Sequence, residues 1–346
     1  MGLGIARELA AAGLKVTVWE RSQIFGSEAS RASAGMIGPQ SEALEDDAYF
    51  SATLASRDLW PAYAAGLQAE SGVDFGFRDS GALHLAFGAA YERRLEAKYL
   101  WQKKKAGRVE RLDEAALRAR YPYLHPRVTS AFLALGDYWL DNEMLVDALE
   151  VSCRKRGVEL KSGVEVSADA LPKADVSILA AGAWASELFP SLVKVHPVKG
   201  QMLSFKVGSL GLLPPLPIHA EFIYLVPRGE RLVCGATVET VGFDKRLTGE
   251  GLEWLLQNAF ETMPDLRHCE VDKTWAGLRP GTADGWPTLG PTPVPGLHLA
   301  VGHYRRGILF LPLTVMAVLE GVQKGSLPVE AKAFGYGRHA AVSSAV

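Results

Sequence analysis

Apolar positions change period early in the chain. Leu3, Ala6, Leu9 and Ala10 recur at helical spacing up to Gly13, a fitting C′ residue, and Lys15 to Trp19 then alternate as a strand that closes on Glu20. From Leu44 to Ser71, Phe50, Leu54, Leu59 and Trp60 predict a long helix. A strand over Gly81–Phe87 follows, then a charged helix over Tyr91–Lys105, a shorter one over Leu112–Arg120, and a strand pair between Thr129 and Leu140. Next come a helix over Glu143–Arg156 and strands over Val158–Lys161, Val164–Ser167 and Val176–Ala180. The pattern then predicts strands over Val195–Val207, Phe222–Val226 and Leu232–Gly235, with a helix over Leu252–Thr262. The last unit reads as a loop over Gly281–Pro291, a strand over Leu297–Val301, a turn over Gly302–Gly307 and a closing apolar helix.

This order describes an α/β domain interrupted twice by strand-rich excursions. At 346 residues the chain exceeds the usual size of one hydrophobic core. The expected division puts residues 1–45, 142–192 and 272–335 in the α/β domain, 46–141 and 193–271 in a strand-rich α+β substrate domain, and 336–346 in a tail. A net charge of -2 produces no field that would gather nucleic acid, so the expected partner is a small molecule. Cys153, Cys234 and Cys269 form no CxxC pair, which argues against a zinc site or a disulfide framework. Arg7, Glu8 and Lys15 interrupt any signal-peptide pattern, and Pro312 and Glu320 break the most apolar stretch, Ile308–Val322. The expectation is a cytoplasmic protein without a membrane span or metal, and assembly of like chains is compatible with it.

Gly2 opens the first helix, and Glu20 ends the strand 18 positions later. That gap is close to the roughly 20 residues between a Rossmann glycine turn and its ribose-binding acid. A complete unit would begin with an apolar strand and two more glycines, whereas this chain starts just before the third, so Met1 reads as a truncated or misassigned start. The alternative is an ordinary amphipathic helix and strand. Ser30, Arg31, Ser33, Ala34, Gly35 and Met36 form a small-residue stretch where backbone can approach a ligand and Ser30 and Arg31 can reach phosphate oxygens, or else a plain loop.

More specific are Trp275–Pro291 and Gly302–Leu309, taken with Ala180–Trp184 and Ile223–Arg228. These segments resemble the FAD-dependent D-amino-acid oxidase family, and most closely its glycine oxidase branch in thiamine biosynthesis. The resemblance covers nearly the whole chain except the first strand and first two glycines. It implies a Rossmann-like FAD-binding domain with a substrate domain, a small amino-acid substrate, and dioxygen as acceptor, reduced to hydrogen peroxide. It further implies that Arg279 and Tyr224 bind the substrate carboxylate, that Arg305 faces the substrate, and that Val238 lines the pocket. FAD contacts are implied for Gly2, Glu20, Arg21 and the 30–36 stretch, for Val166, Ala181 and Gly182, and for Gly302, His303, Tyr304, Arg305, Gly307, Ile308 and Leu309. His303 is a loop residue near the flavin ring or a solvated histidine. Hydride passes directly from substrate carbon to flavin, so no catalytic base is assigned. Relatives with covalent flavin attach it through a cysteine near the ring, and none follows Cys269, so FAD is expected to bind noncovalently. The rival readings are a dehydrogenase that passes electrons to a quinone or carrier, and a cofactor-free remnant with a binding role.

Overall fold

The computed structural model of the protein describes residues 1–43, 47–208 and 211–338. Helix α1 (Gly2–Ala11) buries Leu3, Ile5, Ala6 and Leu9 and leads to strand β1 (Thr17–Glu20). Short helices α2 (Ala29–Ala32) and α3 (Pro39–Glu42) flank β2 (Met36–Ile37). The long α4 (Ala48–Ser71) starts where Asp47 accepts the Phe50 amide at 2.7 Å and ends at Gly72, whose φ of 77° lets the last turn close. Its expected first residues, 44–46, lie outside the described residues.

Next in the chain are β3 (Ala82–Phe87), α5 (Ala89–Lys105), β4 (Val109–Leu112), α6 (Glu114–Arg120), β5 (Val128–Ala134) and β6 (Tyr138–Trp139). Leu112, expected to begin a helix, closes β4 instead, because Asp113 caps α6 by accepting the Ala116 amide at 2.8 Å. The expected strand pair between Thr129 and Leu140 does not form either. β5 lies between β3 and β4, whereas β6 pairs with β2.

The chain continues through α7 (Asn142–Lys155), β7 (Glu159–Ser162), β8 (Ser177–Leu179), α8 (Ala185–Leu188), β9 (His196–Lys206), β10 (Ile218–His219), β11 (Tyr224–Arg228) and β12 (Arg231–Gly235). It ends with α9 (Gly249–Thr262), β13 (Glu270–Gly281), β14 (Thr288–Pro291), β15 (Leu297–Val301) and α10 (Leu311–Lys324). The segment 164–167, expected as a strand, lies beyond the end of the β1–β7 ladder. Its one ladder-like bond runs from the Val164 amide to the Glu20 carbonyl at 3.0 Å, and β1 offers no residue after Glu20 to extend it.

Eight strands form the large sheet, in the order β13-β9-β12-β11-β10-β3-β5-β4. Its core gathers Leu83, Leu133, Phe205, Leu225 and Leu255. On the other side, β1 pairs in parallel with β7, and β15 lies between β14 and β8. α1, α4, α7 and α10 pack around these ladders through Ile5, Trp60, Leu149 and Val318. β1 and β8 each carry a single ladder partner among the described residues, and both line the main cavity. β13 pairs with β9 from Glu270 to Gly281, so residues 272–281 belong to the large sheet although the pattern grouped them with the α/β segments. Of the expected tail, Arg338 is tied down by Asp284 at 2.9 Å, and 339–346 lie outside the described residues.

Candidate active site

One cavity of about 2130 Å³ opens between the large sheet and the α/β elements. That is more than twice the roughly 300–1,000 Å³ of an ordinary small-molecule site, so it has room for a dinucleotide as well as a substrate. Its walls include Gly2, Glu20, Arg21, Ser30, Ser33–Met36, Val166, Ala181, Gly182, Gly302–Ile308, Tyr224 and Arg279.

Arg279 projects from β13 across β9. A Cβ on Gly200 would lie 2.3 Å from its Nη2, so the guanidinium lies flat on a strand position that has no side chain. Nη1 donates to the carbonyls of Lys199 at 3.2 Å and Thr237 at 3.1 Å. No carboxylate pairs with it among the described residues, leaving Nε and Nη2 available to an anion. Below it, Lys199 is 1% exposed and pairs with Glu239 at 2.9 Å. Burial alone would raise the Glu239 carboxyl, but hydrogen bonds from Thr237, Gln201 and Lys199 outweigh it and hold the pKa below the usual range. This paired platform keeps both carbonyls under Arg279 in place.

Tyr224 repeats the arrangement on β11. A Cβ on Gly235 would come within 2.6 Å of its hydroxyl. That hydroxyl lies 3.8 Å from Met202 Sδ, and burial raises its pKa, so it remains a donor.

On the α/β side, Met1 caps α1 without a side-chain hydrogen bond, so the first amides of the helix have no partner among the described residues beside Gly2 at the cavity. The Glu20 carboxylate accepts the Ser22 amide at 3.0 Å and the Gly26 amide at a long 3.5 Å. Arg21 lies 3.6 Å over the Trp184 ring. Ser33 Oγ donates to the Ser30 carbonyl at 3.0 Å. Gly35 has a φ of +82°, and a Cβ there would fall 1.9 Å from the Leu140 carbonyl oxygen, so close packing against the chain before α7 is what excludes a side chain. Tyr304 has a positive φ of 49°, and its amide donates to the Pro280 carbonyl at 3.0 Å.

Some expected residues are placed elsewhere. Arg31 turns away from the cavity, with Nη2 on Asp147 at 2.6 Å and Nε on the Phe25 carbonyl at 3.0 Å. Leu309 is 1% exposed and outside the wall; its carbonyl accepts from Ser56 at 2.7 Å and Trp60 at 3.2 Å. Val238, expected to line the pocket, is 54% exposed to solvent beyond the turn that follows β12. His303 is not solvated. It is buried with Nε2 2.9 Å from Thr314 Oγ1, and burial lowers its pKa to about 3, which keeps it neutral. Arg306 is structural, pairing with Glu42 at 3.4 Å and donating to the Tyr49 hydroxyl at 2.9 Å.

Lys98, His84 and His219 also line the cavity and were missed in the sequence. His84 belongs to the strand over 81–87, but no local signal pairs it with a residue 135 positions later. Gly200 and Gly235 were missed for the same reason.

A sequence profile described as FAD dependent oxidoreductase matches residues 1–319. The glycine oxidase of Geobacillus kaustophilus is 31% identical over 358 residues, covering 98% of this chain and 94% of that protein. A crystal structure of glycine oxidase from the same organism has a TM-score of 0.91 at 31% identity, covering 98% of this chain and 96% of that one. The bifunctional protein ThiO/ThiG of Trichormus variabilis is 33% identical over 339 residues, covering 92% of this chain and 51% of that protein. The chain thus spans about half the length of the bifunctional relatives it matches.

Proposed function

The chain belongs to the FAD-dependent oxidoreductase family, and from that premise we propose that it oxidises glycine, or another small amino acid or N-methylated amine, to the imine. The observation that carries this reading is the Arg279 guanidinium in the cavity, held by backbone carbonyls and free of any protein carboxylate among the described residues. A planar guanidinium matches a carboxylate in a two-point geometry and stays charged when water is excluded. Tyr224 adds a neutral donor to the same carboxylate. With that end fixed, the substrate Cα is held in one orientation, which is where most of the protein's contribution to a direct transfer lies.

Bound FAD supplies a two-electron acceptor for the hydride leaving Cα. Glu20 would accept the ribose hydroxyls, and the amides at the start of α1 would face the pyrophosphate. Arg21, Ser30, Ser33, Ala34, Met36, Val166, Ala181 and Gly182 would line the nucleotide, with Gly302 to Ile308 beside the ring. Arg305 has no carboxylate partner among the described residues and would balance negative charge on the reduced ring. His303, neutral and engaged with Thr314, takes no proton. The product imine hydrolyses in water to the oxo acid and ammonia, or methylamine where the nitrogen carries a methyl group, and dioxygen accepts the two electrons with two protons to give hydrogen peroxide.

The test is the visible spectrum of the FAD-loaded protein before and after glycine is added without oxygen, followed by oxygen uptake. Bleaching and then peroxide formation are expected. No bleaching with glycine, sarcosine or D-alanine rejects the reading, and bleaching without oxygen uptake assigns the electrons to another carrier.

A further inference from the structure

The substrate side of the cavity holds more positive charge than this reaction requires. Arg306 is neutralised by Glu42, but Lys98, Arg279 and Arg305 have no carboxylate within ion-pair distance among the described residues. In the proposed reaction one substrate carboxylate takes Arg279 and the reduced cofactor takes Arg305, which leaves Lys98. Burial pulls the Lys98 ammonium pKa down against the more distant Asp137 and Glu42 carboxylates, and a largely buried cation with no carboxylate in contact is costly to maintain, so its place on the cavity wall points to an anionic ligand group.

Lys98 extends from α5 and donates to the Ser41 carbonyl. The Ser41 hydroxyl lies 2.8 Å from His84 Nε2. Parallel pairing of β10 with β3 sets His219 opposite His84, and their rings stack at 4.7 Å with 8° between planes. Phe132 covers the other face of His84 at 4.6 Å, which fixes the ring plane. His219 in turn reaches Tyr224, with ring centroids 6.4 Å apart. A polar line therefore runs from Lys98 through the paired imidazoles to the residue proposed to hold the first carboxylate.

Of the acid groups facing Lys98, Glu42 is taken by Arg306, whereas Glu221, also on the cavity wall, leaves Oε1 without a partner among the described residues. Asp137 accepts the Gln40 and Ser41 amides at 2.8 Å each, and burial raises its pKa to about 6. Burial, with Lys98's charge acting in the same direction, holds both imidazoles neutral. A neutral imidazole keeps one N–H to donate, and no protein hydrogen bond uses either nitrogen of His219 among the described residues.

We propose that His219, stacked on His84 and within the field of Lys98, forms a second carboxylate subsite, so that the preferred substrates are small α-amines carrying two carboxylates. This rests on the reading of Arg279 as anchor of the first. The second acid could stand across the nitrogen or on the carbon side chain, and the chemistry of recognition is the same.

The test uses ligands without an oxidisable amine, so that binding is separated from turnover. Calorimetric Kd values on the FAD-loaded protein are compared for oxydiacetate against methoxyacetate, and for malate against lactate. At least one dicarboxylate should bind about tenfold or more tightly than its monocarboxylate partner, and that ratio should collapse in His219→Leu and in Lys98→Met. An advantage for oxydiacetate places the second acid across the nitrogen; an advantage for malate places it on carbon. Equal Kd values within both pairs overturn the subsite, as does an advantage that survives both substitutions. Failure of all four ligands to bind, with FAD in place, rejects the Arg279 anchor itself and the subsite with it.

Discussion

Gly200→Ala is the sharpest test of how Arg279 is held. A Cβ at this position would lie 2.3 Å from Nη2, 2.5 Å from Nη1 and 2.6 Å from Cζ of Arg279. Carbon and nitrogen atoms in contact sit near 3.5 Å, so the guanidinium must move by about 1 Å. It is the free end of a flexible side chain, and Gly200 does not have a positive φ, so the backbone need not shift and the fold should persist. The displacement breaks the bonds from Nη1 to Lys199 at 3.2 Å and Thr237 at 3.1 Å and carries the substrate carboxylate with it. A misplacement of about 1 Å at a positioning group costs roughly 100-fold in rate, or about 2.7 kcal/mol of transition-state stabilisation. The assay is kcat/KM for glycine by peroxide release, with flavin content and thermal midpoint measured on the same sample. Gly66→Ala is the control, since its added methyl would meet nothing within 4 Å. A Gly200→Ala enzyme within about threefold of the parent, fully loaded with flavin, would refute the argument that the guanidinium position sets activity.

Arg279→Lys keeps the charge but loses the fork, so KM for glycine should rise about 100-fold or more while the flavin spectrum is unchanged; an unaltered KM would remove Arg279 from the site. Gly35→Ala should yield little folded protein, because its methyl would overlap a backbone carbonyl at 1.9 Å where the φ is +82°; expression and circular dichroism would show this. Burial would raise the Glu70 carboxyl, but hydrogen bonds from Arg156, Ser152 and Arg7 prevail and bring its pKa to about 2. A depressed carboxylate stabilises the fold above its unfolded value near 4.5 and loses that contribution as pH falls toward about 2. The thermal midpoint of Glu70→Gln should therefore lie well below the parent at pH 6 and converge with it near pH 2.5, and a gap independent of pH would reject the linkage.

Local pattern located most elements, because helix and strand periodicity survives in any segment that buries one face. β15 appears over the very residues expected, and α9 within a few. The pattern did not register β4, since a four-residue strand with two exposed positions carries almost no period, and it extended the helix over Leu112, although the helix begins only after its cap, Asp113. It also expected β5 and β6 as a strand pair, but the two, close in sequence, belong to different sheets.

Residue chemistry in the chain by itself determined the class of the protein, the strands on which Tyr224 and Glu20 stand, and the small-residue turns around Gly182 and Gly302, because these depend on residue types at fixed short spacing, whereas the strand that carries Arg279 emerged only in the structure. Tertiary structure decided which of those side chains face the cavity. The direction of a side chain at a loop or strand end is set by partners far along the chain: Arg31 follows Asp147, the Leu309 carbonyl is taken by Ser56 and Trp60, and Val238 is left to solvent. The same holds for the glycines beneath Arg279 and Tyr224 and for the imidazole pair, which meets only because β10 lies in register beside β3. Long-range strand register is a property of the assembled sheet, and no local spacing encodes it.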